Sequence, residues 1–228
     1  MAKLKPVLFN TGMVRAIEAG RKTETRRPIK RDKHGYPIKP YEPGDVLYVR
    51  ETWHFWPCND CGNEREACDY AIVFKGEEGC FSYMAEWEDP KLSGVYKWKP
   101  SIHMPKEAAR LFLRVKEVRA EYIQDITVEG ILNEGVDVEP PPICKKEGFT
   151  PEQIATLSAM SEEKREAYFA ELARHTYMGW CSYRDDLFRE FVRVWNAAYS
   201  AEDQKLKRWV ANPDVWVICF ERCERPKP

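Results

Sequence analysis

The chain opens with a short apolar run, Pro6-Val7-Leu8-Phe9, between polar neighbours, which predicts a buried strand. Asn10 or Thr11 can then cap a helix to Ala19, with Met13, Val14 and Ile17 on one face and Gly20 at its stop. From Pro28 to Pro43 no period is sustained, and the segment reads as a surface loop. Gly44-Asp45 turns into Val46–Arg50, whose β-branched and aromatic residues predict a strand. Between Trp53 and Gly94 the pattern is irregular, and Tyr70–Phe74 is its one clear strand. Leu111–Arg119 reads as another strand, and Thr127 can cap a short helix that uses Val128, Ile131 and Leu132 and ends at Gly135.

Glu139-Pro140-Pro141-Pro142 cannot continue regular structure and marks the edge of an insertion. Thr150-Pro151-Glu152-Gln153 forms a capping box, Ser161 opens a charged helical segment through Arg174, and Ser182 with Asp185 opens a helix on which Phe188, Phe191, Trp195 and Ala198 recur. Val215–Phe220 is a near-continuous apolar run, hence a central or closing strand. These patterns describe one α+β domain over residues 1–228, with a Cys-containing loop elaboration at 54–94, a mostly helical insertion at 137–210 and a closing strand at 214–223. The 228 residues suffice for a sizeable core.

Charge changes the picture locally. The formal net charge is −1, yet between Arg15 and Lys39 nine basic residues face three acids. That is a basic stripe on a neutral chain. No apolar stretch has the length of a membrane span, and Met1–Pro6 lacks the apolar core of a signal peptide, so the expectation is a cytoplasmic protein with no membrane partner. The eight cysteines are then expected to be reduced thiols or metal ligands.

Within the stripe, Gly20-Arg21-Lys22-Thr23-Glu24-Thr25-Arg26-Arg27 sets a lysine three positions before a threonine, among arginines. Burial beside cations lowers a lysine's pKa, so Lys22 is placed to act as base toward the Thr25 hydroxyl. The same residues can instead stand solvated at a helix end, where cations are favoured. Glu134, at the C-terminal end of its helix, is either a proton carrier or an ordinary exposed carboxylate. Arg21, Arg26 and Arg27 are candidate contacts to phosphate or base. Trp53 and Trp98 can stack on a base or roof the core, and Lys99, Ser101 and His103 lie in a proline-bracketed loop suited to a cleft. Cys58, Cys61, Cys68 and Cys80 contain one CxxC pair, consistent with zinc or with free thiols; the expectation is that no cofactor is required.

The strand, the short helix, Gly-Arg-Lys-Thr-x-Thr-x-Arg and the following Gly-Asp-Val-Leu-Tyr-Val-Arg-Glu-Thr-Trp resemble the ASCH domain, a relative of the PUA fold. The helix from Thr127 to Gly135 suits that family, and the segment from Trp98 to Pro105 resembles its longer phage and prophage members. The resemblance covers residues 6 to 136 and the last strand. It implies a small curled β-barrel with rim helices, and a cleft between the barrel and the first helix. Small bacterial members are amidohydrolases that free cytidine and acetate from N4-acetylcytidine. Their catalytic set falls here on Lys22 as base, Thr25 as nucleophile and Glu134 as proton carrier, with Arg27 able to hold the substrate or the oxyanion. Glu24 and Arg26 depart from the aliphatic residues that flank the threonine in those enzymes.

Four readings follow: a hydrolase of a modified pyrimidine nucleoside, a non-catalytic RNA-binding PUA-like module, a ribonuclease with Lys22 and His103 in the same cleft, and an interaction protein whose insertion at 137–210 docks a phage or host partner. The partner is accordingly a modified nucleoside or RNA.

Overall fold

Two prolines mark the edges of the main sheet. In chain order the strands are β1 (Leu4–Leu8), β2 (Glu24–Pro28), β3 (Lys30–Arg31), β4 (Pro37–Ile38), β5 (Val46–Arg50), β6 (Trp53–Pro57), β7 (Ile72–Phe74), β8 (Glu77–Tyr83), β9 (Phe112–Tyr122) and β10 (Asp214–Cys223). The main sheet has the order β1-β5-β9-β10-β2, with β1 and β5 parallel and the other pairs antiparallel. Pro6 sits in β1 and Pro28 in β2. A proline has no N–H to donate, so strands that contain it belong at edges. The apolar run of β10 is correspondingly central.

The computed structural model describes residues 3–58, 72–87, 97–139, 151–199 and 204–226. The chain divides into two units. One joins Met1–Ile123, Asn133–Gly135 and Asp214–Pro228; the other joins Gln124–Leu132 and Val136–Pro213.

In the first unit, α1 (Thr11–Glu18) is capped by Asn10, whose side chain accepts from Met13 N at 2.8 Å. Its Val14 and Ile17 pack with Val7, Phe9, Leu47, Val49, Leu113, Val115, Ile218 and Phe220 on one face of the sheet. Arg110 ties the helix end to β5's extension, meeting buried Glu51 at 2.9 and 3.0 Å and Glu18 at 2.5 Å. The architecture is α+β with an open main sheet, and no closed barrel forms among the described residues.

Several local expectations change. The stretch from Pro28 to Pro43 contains the β3–β4 hairpin, turned by Asp32, whose carboxylate accepts from His34 N and Tyr36 N at 2.8 and 2.9 Å. The segment after Trp53 holds a three-stranded sheet, β6-β8-β7, where one strand was expected. Lys75 and Gly76, both at positive φ, turn β7 into β8. Its Trp53, Phe55, Phe74 and Phe81 interlock with ring centroids 5.2–6.1 Å apart. Tyr70 and Ala71 of the expected strand, like Cys61 and Cys68, lie outside the described residues.

The second unit contains α2 (Val128–Asn133) up to Leu132, α3 (Pro151–Ala159), α4 (Glu162–Ala197) and α5 (Gln204–Lys207). Thr127 caps α2 through its hydroxyl, 3.1 Å from Gly130 N. The two helices expected from Ser161 and Ser182 are one helix of 36 residues. No proline interrupts it, and Gly179 costs only ~1 kcal/mol in a helix interior. Tyr183, Leu187, Phe191 and Trp195 form its buried stripe, and the Trp195 indole donates to Lys207 O at 2.8 Å. No helix among the described residues is long and apolar enough to cross a membrane.

Candidate functional site

Lys22 is drawn inside by the way α1 ends. Gly20 adopts φ +73°, which reverses the chain so that Arg21 N and Lys22 N both donate to Ala16 O, at 2.9 and 3.0 Å. Lys22 then makes a bridge with Glu134, one residue past the end of α2, while Thr23 N donates to Asn133 O at 2.8 Å. The lysine side chain has no exposed surface. Its Nζ donates to Glu24 O at 2.8 Å, Glu134 O at 2.9 Å and Glu134 Oε2 at 2.5 Å. Three acceptors match the three N–H groups of an ammonium. Burial nevertheless pulls the Lys22 pKa below its ordinary value; Glu134 opposes that shift, and Arg27 and Arg26 add to it.

Gly135 makes the approach of Glu134 possible. Its φ is +81°, and a Cβ there would lie 2.7 Å from Ala16 Cβ and 2.9 Å from Lys22 Cβ. A side chain therefore meets both backbone strain and the packed base of the lysine. Gly135→Ala is expected to lower stability by roughly 1–3 kcal/mol, from the left-handed conformation and overpacking together. Urea denaturation measures the loss, and a variant as stable as the parent would show that the two segments are not in close contact.

β2 divides the motif between two faces of the sheet. Thr25 stands opposite Ile218 and Arg27 opposite Trp216, on the side of the apolar core. Thr25 is buried, and its hydroxyl makes no hydrogen bond to Lys22 or Glu134 among the described residues. Arg27 donates to Leu8 O at 2.7 Å and lies 5.6 Å from the centroid of the Phe9 ring, as does Lys22 Nζ.

Glu24 and Arg26 occupy the other face. Arg26, nearly fully buried, meets Glu121 at 2.8 Å, Glu24 at 3.3 Å and Glu134 at 3.4 Å. Arg119 meets Glu24 at 3.4 Å and Glu121 at 3.5 Å. Lys22, Arg26 and Arg119 thus balance Glu24, Glu121 and Glu134. Such mutual pairing avoids the large penalty of an unpaired buried charge. The Cys219 thiol donates to Glu24 at 3.3 Å, and burial, with Glu24 beside it, raises its pKa to about 11, so it rests as a thiol.

A cavity of about 500 Å³ opens beside this network, lined by Ile17, Lys22, Thr23, Glu24, Lys116 and Cys219 among others. Neither Thr25 nor Glu134 lines it. The β9–β10 register shifts between Cys219 and Phe220, leaving Lys116 as the extra residue of a bulge at the cavity wall.

The remaining candidates are dispersed. Arg21 is exposed and donates to Gly135 O at 3.5 Å. Trp53 is buried in the aromatic core with Lys99 Nζ 4.9 Å from its ring centroid, so it roofs the core instead of offering a free stacking face. Trp98 and Ser101 are half-buried, and His103 is exposed in the short turn Ser101–His103. Cys58 and Cys80 are half-buried, and the described residues contain no cluster of metal-ligating side chains. Much of the basic stripe is committed internally: Arg15 donates to Ala85 O and Trp87 O, Arg31 pairs with Asp214, and Lys39 pairs with Glu42.

Compared with protein-family models, curated proteins and solved structures, the chain has no significant match among any of them.

Glu121 and Arg119 were not singled out from the sequence, although a signal exists. Glu117, Arg119 and Glu121 alternate along β9 as Glu24 and Arg26 do along β2, and alternation of charge on the two strands that flank β10 indicates an ionic face.

Proposed function

We propose that the chain is an ASCH-type, PUA-like cytoplasmic amidohydrolase that acts on an N4-acylated cytidine-type nucleoside through Lys22, Thr25 and Glu134. One observation carries this reading: a lysine with no exposed side-chain surface, 2.5 Å from a carboxylate and lowered in pKa, three residues before a buried threonine. The link from Arg27 on one edge strand to Leu8 on the other supports a sheet that curls toward a barrel.

In the proposed reaction Glu134 takes a proton from the Lys22 ammonium, and the neutral amine accepts the Thr25 hydroxyl proton as Oγ1 adds to the acyl carbonyl. Arg27, on the same face as Thr25, offers N–H groups to the oxyanion. Collapse breaks the C–N bond, and the pyrimidine amine leaves with the proton held by Lys22. Water then attacks the acyl–threonine ester, giving a proton to the same pair, which passes it to Thr25 Oγ1 as the C–Oγ1 bond breaks and acetate leaves. The reaction calls for a Thr25–Lys22 hydrogen bond that forms only in the substrate complex. The RNA-binding alternative draws on the basic stripe, much of which is committed within the fold.

Incubation with N4-acetylcytidine is expected to release cytidine and acetate, resolved by liquid chromatography. Thr25→Ala is expected to abolish release, and Thr25→Ser to retain part of it. Release that persists at the parent rate in Thr25→Ala would remove the acyl–threonine mechanism.

A further inference from the structure

We infer that the N-terminal half of α4 docks a second copy of this chain, as an antiparallel helix pair about a two-fold axis level with residue 175. The inference concerns assembly and is independent of the proposed reaction.

The apolar stripe of α4 changes its surroundings along the helix. Tyr183, Leu187, Phe191 and Trp195 are buried, whereas the same stripe nearer the N-terminus, at Phe169, Leu172, Ala173, Thr176, Tyr177 and Trp180, lines an open groove. Phe169, Tyr177 and Trp180 keep 42, 67 and 46% of their surface exposed. With aromatic side chains of 150–250 Å², that leaves roughly 300 Å² of ring surface on each copy, an apolar patch of the size that marks interaction sites. Two copies face to face would cover roughly 600 Å² from these rings, about half of the ~1,200 Å² at which specific interfaces begin. Leu172, Ala173, Thr176 and the stems of Glu166 and Arg184 supply the remainder.

The spacing along one edge of the groove selects a second copy and its direction. Glu166, Ala173, Tyr177 and Arg184 are all exposed, and at 3.6 residues per turn they lie within about 40° of one another around the helix. Their gaps of seven, four and seven residues are symmetric about position 175. A two-fold axis there sets Glu166 of each copy against Arg184 of the other, and the small Ala173 against the Tyr177 ring. Charge and shape thus select the same register. A parallel pair would instead set glutamate against glutamate and arginine against arginine. Phe169 and Trp180, eleven residues apart and so on one line of the helix, share nearly the same midpoint and meet across the centre of the stripe. Arg184 meets its neighbour Asp185 at 3.3 Å on the surface, a pairing weak enough to be exchanged.

Sedimentation equilibrium of the full chain over micromolar concentrations tests the pairing. The parent is expected to dimerise, and Trp180→Glu to stay monomeric with its helix content retained by circular dichroism. Glu166→Arg sets arginine against arginine at both ends of the pair, and Arg184→Glu sets glutamate against glutamate. Either variant alone is therefore expected to dimerise about tenfold more weakly or worse. Mixed in equal amounts, the two are expected to associate with each other more tightly than either does with itself, because both ends then carry arginine against glutamate. That complementation is specific to a two-fold antiparallel pair. A parent that is monomeric throughout would overturn the proposal and leave the groove to another segment of the chain or to a different protein. Dimers unchanged by Trp180→Glu, single charge variants that dimerise as tightly as the parent, or a mixture that forms no heterodimer would each overturn it as well.

Discussion

Replacing Lys22 by methionine is expected to reduce cytidine release from N4-acetylcytidine by ~10²–10⁴-fold, the contribution of a positioned acid–base group. Methionine keeps much of the lysine stem, and Glu134 retains Arg26 at 3.4 Å, so the carboxylate is not stranded. The same variant tests the lysine's ionisation without substrate. Its folded pKa lies below the ordinary lysine value, so across that interval the unfolded chain binds more protons than the native one. Native stability should then climb with pH through the window from the lowered value to the ordinary lysine value of 10.5, and that gain should be absent in Lys22→Met. Urea melts at several pH values between neutrality and the ordinary lysine range measure the difference in slope. Parallel slopes in the two proteins would mean that folding leaves the lysine's proton affinity unchanged.

Much of this arrangement was legible because it rests on local rules. Asn10, Gly20, Thr127 and Gly135 each govern a helix end, and the apolar runs of β1, β5, β9 and β10 lie where their composition puts them. Lys22 and Glu134 were singled out from their positions at helix ends, and the chain brings them together. What escaped depends on pairing between distant strands. Arg26 reads as a solvent-facing cation until Glu121, 95 residues on, stands beside it. Trp53 offers the same aromatic face to a ligand or to Phe74 and Phe81, and only the β6-β8-β7 sheet decides for the core. The two sides of β2 follow from strand alternation, but a motif that begins at the end of a helix gives no sign that it continues as a strand. Separating Thr25 from Glu24 therefore required the β10 register.

Arg26→Ala is expected to be the most destabilising single change in the site, costing about 3–5 kcal/mol, as when one partner of a buried ion pair is removed. Arg26 has 2% of its side-chain surface exposed and touches Glu121, Glu24 and Glu134. Its loss leaves three carboxylates to Lys22 and Arg119. Lysine at this position should recover only part of the loss, because one ammonium cannot reproduce the guanidinium fork. A double change, Arg26→Leu with Glu121→Leu, removes a cation and an anion together beside Val215 and Val217, both fully buried on β10. It should be markedly more stable than Arg26→Leu alone, since an apolar pair avoids the uncompensated charge. Chemical denaturation of the parent, the two leucine single variants and the double variant closes the cycle and yields the Arg26–Glu121 coupling directly. Additive single effects would mean that the two side chains do not share one buried network. A large coupling with N4-acetylcytidine turnover reduced in Arg26→Leu would place the ion pairs of β2 in the service of Glu134, whose second oxygen Arg26 meets at 3.4 Å.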